Sequence, residues 1–214
     1  MSSAAIVGAV VYRRAMGKSA RRLEAAVTQS VAALRPVVAR DWSVPADRVR
    51  WSCSKAARHV ADNLIAYAGQ LVSGTSDAYL PFRLVANPRT PPSGLLDLIE
   101  MTGALLAMTV RDAPASARAY HGYGMADAEG FAALGAAEVV LHTHDIAAGI
   151  GVPFEPDAAT SSWLLGRLHR DLPEDDAPWQ LLLWATGRGD LPGHERVRRW
   201  RWNPEPVMQG AASS

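Results

Sequence analysis

The fourth long apolar segment of this chain, residues 127–148, carries Glu138-Val139-Val140-Leu141-His142-Thr143-His144-Asp145 inside an Ala- and Leu-rich helical pattern. Four-residue spacing puts Glu138 and His142 on one face of a helix, about 40° apart around its axis. A carboxylate and an imidazole set this way can grip one ion from a rigid rod, and helix bundles build metal sites from ligands that project inward. The same spacing also describes an ordinary surface pair. Helical periodicity dominates the rest of the chain too, and no run alternates as a strand should. The sequence therefore reads as all-α.

The periodicity predicts helices over residues 16–40, with Pro36 kinking the first near its end, 52–74, 93–111 and 127–148. Ser52 or Ser54 can cap the second, and Gly74 can stop it. Residues 75–92 carry Pro81, Pro88, Pro91 and Pro92. So long a link suits a crossover between non-adjacent helices. Residues 115–126 read as a loop and a pocket lid. Shorter helices are predicted over 161–170 and 177–186, followed by an irregular tail. The apolar stretch 4–12 precedes Arg13 and Arg14, so its charge lies on the wrong side for a signal peptide, and it is too short to span a bilayer. It reads as a frayed or extended start. The expected domains are a bundle over 1–156 and a short C-terminal helical extension over 157–214 packed on it.

Net charge is +1, with 22 Lys and Arg against 21 Asp and Glu, so no basic face for nucleic acid is implied. Arg196, Arg198, Arg199 and Arg201 form a local basic cluster mixed with Trp200 and Trp202, read as a solvated or packed segment. The single cysteine, Cys53, permits no internal disulfide and fits a reducing compartment. A soluble cytoplasmic protein with no membrane partner is expected, as a monomer or homodimer.

A third ligand has to come from another helix. His59, in the apolar frame of Ala56, Ala57, Val60 and Ile65, is the candidate. Two imidazoles and one carboxylate suit Zn²⁺, with Ni, Co, Fe or Mn as other possibilities, and leave positions open for water or substrate. His144 falls on roughly the opposite face from His142, so it is a poor ligand; it reads as an acid or base, or as a solvated or interhelical histidine. Asp145 shares the His142 side and can orient that ring through its second N–H. His121, between Tyr120 and Tyr123, enters the pocket or sits at the surface, and the surface is the expectation. Arg188 can bind a substrate carboxylate or pair with Asp190. Cys53 is read as a buried structural thiol, with a lowered pKa near a helix start as the alternative.

Three segments together resemble the mycothiol-dependent maleylpyruvate isomerase family, part of the DinB-like metal-binding four-helix bundles. They are Trp51 through His59, with His eight positions after Trp; Glu138-x-x-x-His142-x-x-Asp145 followed by Gly151 and Pro153; and Thr186-Gly187-Arg188 followed by Trp200. The resemblance runs over roughly residues 23–202. It implies an up-down-down-up bundle, a divalent metal on His59, Glu138 and His142, mycothiol or another small thiol as cosubstrate, a small-molecule substrate and an actinobacterial source. Two features depart from the family. The isomerase proper has a fuller mixed α/β second domain where residues 157–214 stand, and Cys53 replaces an apolar residue. Chemistry of this kind is thiol addition to an electrophilic carbon, giving isomerisation or S-transfer. A hydrolase using metal-bound water and a non-catalytic bundle with a structural metal are the alternatives. A structural metal would need His144 or Cys53 to complete a four-ligand set.

Overall fold

The computed structural model describes residues 3–172 and 177–207, and among them the chain is mostly helical. Four long helices form the core: α1 (Ser3–Leu34), α2 (Cys53–Ser73), α3 (Pro92–Asp112) and α4 (Ala128–Gly149). Two shorter ones follow, α5 (Ala158–Leu168) and α6 (Pro178–Ala185). The first helix departs from expectation at both ends. It is continuous from Ser3, so the stretch read as frayed is helical from that residue on; Met1 and Ser2, like residues 208–214, lie outside the described residues. It stops at Leu34 because Pro36 cannot continue the α ladder, and Arg35–Val37 tightens into a 3₁₀ turn instead.

Local chemistry sets the other ends. Ser52 caps α2 by accepting from the Lys55 amide, and Gly74 closes it in the left-handed conformation, φ 65°. Asp127 caps α4 by accepting from the Gly130 amide at 2.7 Å. Asp157 does the same for α5 through the Thr160 amide at 2.6 Å.

Contacts at the helix ends fix the directions. Arg35, just past the end of α1, bonds Asp97 near the start of α3 at 2.7 Å, so α1 and α3 run antiparallel. Cys53 at the start of α2 lies against the Ile146 carbonyl near the end of α4, so these two are antiparallel as well. Arg58 in the first turns of α2 reaches the carbonyls of Asn87 and Pro88 just ahead of α3, so α2 and α3 run together. Thus α1 and α4 point one way, α2 and α3 the other, and residues 74–91 form the crossover. Each of α1 and α2 packs on both α3 and α4. The centre is filled by fully buried Leu23, Leu64, Leu106, Phe131 and Leu134. Gly135 in α4 lets these layers meet: a Cβ there would fall 2.6 Å from Leu106 and 3.1 Å from Leu64. α4 is buried around most of its circumference, which is why its sequence is apolar on every side.

The expected loop over 115–126 contains a short antiparallel hairpin, β1 (Ala119–His121) and β2 (Gly124–Ala126). It is held from outside. The Tyr120 amide donates to the Thr75 carbonyl at 2.7 Å, the buried Gln70 amide group donates to the Tyr120 carbonyl at 3.2 Å, and the Gly122 amide donates to the Tyr79 hydroxyl at 2.8 Å. These bonds dock the hairpin on the end of α2 and the crossover.

α3 is, among the described residues, the one helix long and apolar enough to cross a membrane by length and composition; it lies in the bundle against α1 and α2. After α6 the chain is irregular through residue 207, as expected. This final segment is tied to α4 from two points. Buried Arg167 of α5 donates to Asp127 at 2.8 Å and to the Pro204 carbonyl at 3.0 Å, and Arg188 reaches Asp145.

Candidate metal centre

The antiparallel α2 and α4 bring His59, near the start of one, beside Glu138 at the middle of the other and His142 one turn further on. Glu138 Oε2 lies 3.5 Å from His59 Nε2 and 3.4 Å from His142 Nε2. The two imidazoles meet edge to face with centroids 5.2 Å apart. One donor atom from each residue falls within 4.8 Å of the others, so this cluster can hold a metal ion. Ligand bonds of about 2.1 Å in tetrahedral array put neighbouring donors about 3.4 Å apart. The two measured carboxylate–imidazole separations match that edge.

The charges suit a cation. Burial favours a protonated Glu138, yet hydrogen bonds to His142 and His59 outweigh it and hold the carboxyl well below the usual carboxylate range. Burial likewise favours neutral His142, but its bonds to Asp145 and Glu138 raise its affinity for a proton. A proton shared in this cluster occupies the place a divalent ion can take.

Asp145 holds the His142 ring by a hydrogen bond. Its Oδ2 accepts from His142 Nδ1 at 3.0 Å, which turns Nε2 toward Glu138. Asp145 is completely buried, and its counter-charge is Arg188, which donates through Nε at 3.0 Å and Nη2 at 2.9 Å. Arg188 therefore pairs with Asp145 rather than with Asp190. The fork geometry leaves the guanidinium fixed behind the cluster.

Other expectations are redrawn. His144 does face away: it packs against Trp179 at 5.4 Å between centroids and stands outside the cluster. Cys53 is fully buried, and burial pushes its thiol pKa up, so it is the structural thiol and not an activated one. His121 is not at the surface. It is 4% exposed, and burial lowers its pKa to about 4. The hairpin carries it against Tyr67, with ring centroids 5.8 Å apart.

Several neighbours escaped the sequence reading. Trp51 packs on both imidazoles, 4.7 Å from His59 and 5.9 Å from His142. Its eight-residue offset from His59 was a usable signal, but nothing local gave it a role. Asn63 Nδ2 lies 3.1 Å from His59 Nε2, one helical turn on. The buried Tyr67 hydroxyl donates to Glu138 Oε1 at 3.5 Å; burial first, then the Glu138 charge, keeps this phenol protonated. Asn63 and Tyr67 also bound a cavity of about 360 Å³ with Tyr79 and Phe82, so an aromatic recess adjoins the cluster. His59 remains 30% exposed. The centre is thus reachable from solvent on the α2 side and closed on the Asp145 side.

No family model, curated protein or solved structure matches the chain.

Proposed function

We propose that the chain is a metal-dependent enzyme with a DinB-like bundle over residues 1–156 and a helical extension over 157–214. Within that class we propose a reading close to the mycothiol-dependent maleylpyruvate isomerases: a small thiol is joined to, or transiently added to, an electrophilic small molecule. The observation that carries this is the three-residue cluster, closed on one side by Asp145 and Arg188 and accessible on the other beside an aromatic recess. Among the described residues no fourth His, Cys, Asp or Glu joins it, which favours a centre with room for an exogenous ligand over a purely structural one.

His59, Glu138 and His142 would hold the ion. A divalent ion supplies Lewis acidity, lowering the pKa of a thiol or water beside it so that a good nucleophile exists at neutral pH. Glu138 brings the one negative charge, and its low proton affinity keeps that charge available across the neutral range. Asp145 and Arg188 hold the His142 ring in a single orientation. Trp51 screens the imidazoles from bulk water. The Tyr67 hydroxyl stays neutral and donates to Glu138, which steadies the carboxylate at the edge of the recess. Sulfur addition to a conjugated carbon, rotation and elimination of the same thiol yields an isomer with no net change in composition. Displacement instead releases a leaving group together with the thiol proton.

The test is turnover of a panel of electrophilic conjugated substrates by zinc-loaded protein with and without added low-molecular-weight thiol. Thiol-dependent turnover that disappears in Glu138→Gln supports the reading. Turnover that ignores thiol shifts it to metal-activated water.

A further inference from the structure

Between the loop ahead of α2 and the segment that follows α6 lies a second cavity, of about 470 Å³. Its wall carries four arginines, Arg48, Arg188, Arg196 and Arg198, together with Thr186 and Trp200, and among the described residues no Asp or Glu. Two of the guanidinium charges are balanced within the fold. Arg188 is paired with Asp145, and Arg48 Nε lies 3.1 Å from Asp47. Among the described residues Arg196 and Arg198 make no ion pair. Among the described residues the cavity therefore carries about two unopposed positive charges, both on the segment that follows α6, facing the loop that bears Arg48. Arg48 is, in addition, the one non-glycine residue with positive φ among the described residues, at 61°. That backbone state costs about 1–2 kcal/mol for an L-residue. Such strain persists where the surroundings over-determine it, often at ligand sites.

We propose that this cavity binds a compact dianion: the phosphate of a phosphate monoester or the carboxylate pair of a dicarboxylic acid. Guanidinium groups recognise both by paired, charge-assisted N–H···O bonds. Arg188 forms the floor. Its Nε and Nη2 are taken by Asp145, while Nη1 has only a 3.5 Å contact to the Thr186 carbonyl, so donors remain for a ligand. Trp200, packed on Trp202 with centroids 4.7 Å apart, gives the apolar part of the ligand a flat wall. The contact chain Arg188–Asp145–His142 places the site behind the metal cluster, and binding here does not require an ion on His59, Glu138 and His142.

Isothermal titration of the full chain, stripped of metal by chelation, tests this with inorganic phosphate and with succinate as probes at about 0.15 M chloride, where exposed charges are screened. One saturable site per chain is expected for at least one probe, and the probe that binds names the chemistry. Each lost charge-assisted contact is worth about tenfold in affinity, so Arg196→Gln with Arg198→Gln should weaken binding about 100-fold. Arg201→Gln, an exposed arginine outside the cavity, should leave it unchanged. The proposal is overturned if neither probe saturates, if Arg201→Gln weakens binding as much as the double substitution, or if binding appears only in zinc-loaded protein and survives that substitution. The last result would mark the anion as a ligand of the metal centre.

Discussion

Asp145→Asn changes one atom's identity and one unit of charge while keeping the side chain's shape. Asp145 is fully buried and accepts from His142 Nδ1 at 3.0 Å and from Arg188 at 3.0, 3.3 and 2.9 Å. An amide has one acceptor oxygen, so its NH₂ must face either the imidazole N–H or the guanidinium, both donors. Arg188, only 8% exposed at its side chain, then keeps a buried charge without a counter-ion. Removing one partner of a buried pair costs about 3–5 kcal/mol. Loss of the group that orients a metal-binding histidine costs about 10- to 100-fold in metal affinity. Urea unfolding of metal-free protein reads the first effect, and zinc competition against a chromophoric chelator reads the second. The double substitution Asp145→Asn with Arg188→Met should be less destabilised than the sum of the single changes by about 2 kcal/mol, because it leaves no stranded charge. The reasoning fails if Asp145→Asn unfolds within about 0.5 kcal/mol of the parent and binds zinc equally well.

Three further outcomes are expected. Tyr67→Phe removes the hydroxyl beside Glu138 and none of the three ligands, so zinc stoichiometry should hold while thiol-dependent turnover falls about tenfold or more. Gly149→Ala would set a Cβ 2.5 Å from the Pro45 carbonyl and 3.0 Å from Ala46 Cα, both backbone, and should lower the urea stability by about 1–3 kcal/mol despite alanine's better helix propensity. Burial lowers the His169 pKa to about 4, against about 6.5 unfolded, so the unfolded chain binds the extra proton and stability falls with pH across that window. Between pH 7 and 5 this one group should account for about 2 kcal/mol, and His169→Phe should flatten the pH dependence of the unfolding midpoint by that amount; an unchanged slope would falsify the assignment.

The scaffold of the site was readable wherever the chemistry is local. Glu138 and His142 share a face by spacing alone, Asp145 lies on the His142 side, and His59 stands out as a basic ring in an apolar frame. The cap at Ser52 and the stop at Gly74 use residues whose turn chemistry acts within three or four positions, whereas the Asp157 cap, which starts α5 three residues before the expected 161, went unread. What stayed hidden is long-range. His121 and Tyr67 lie 54 positions apart, and they meet because a hairpin of two three-residue strands docks on Gln70 and the crossover. Strands so short carry no alternation to detect. The partner of Arg188 was missed for a related reason: Asp190 is near in sequence, but Asp145, 43 positions back, is the carboxylate that burial leaves in need of a cation. The start of α1 was misread because its apolar residues were weighed as a targeting signal and not as helix formers.

Everything proposed for the chemistry requires one ion to be seated between α2 and α4. X-ray absorption and anomalous diffraction of zinc-loaded crystals measure this directly. One zinc per chain is expected, about 2.0–2.2 Å from His59 and His142 nitrogens and a Glu138 oxygen, with at least one further position filled by a non-protein ligand and the ion lost in His59→Ala. Zinc bound elsewhere, or retained at full stoichiometry in both His59→Ala and Glu138→Gln, would contradict it.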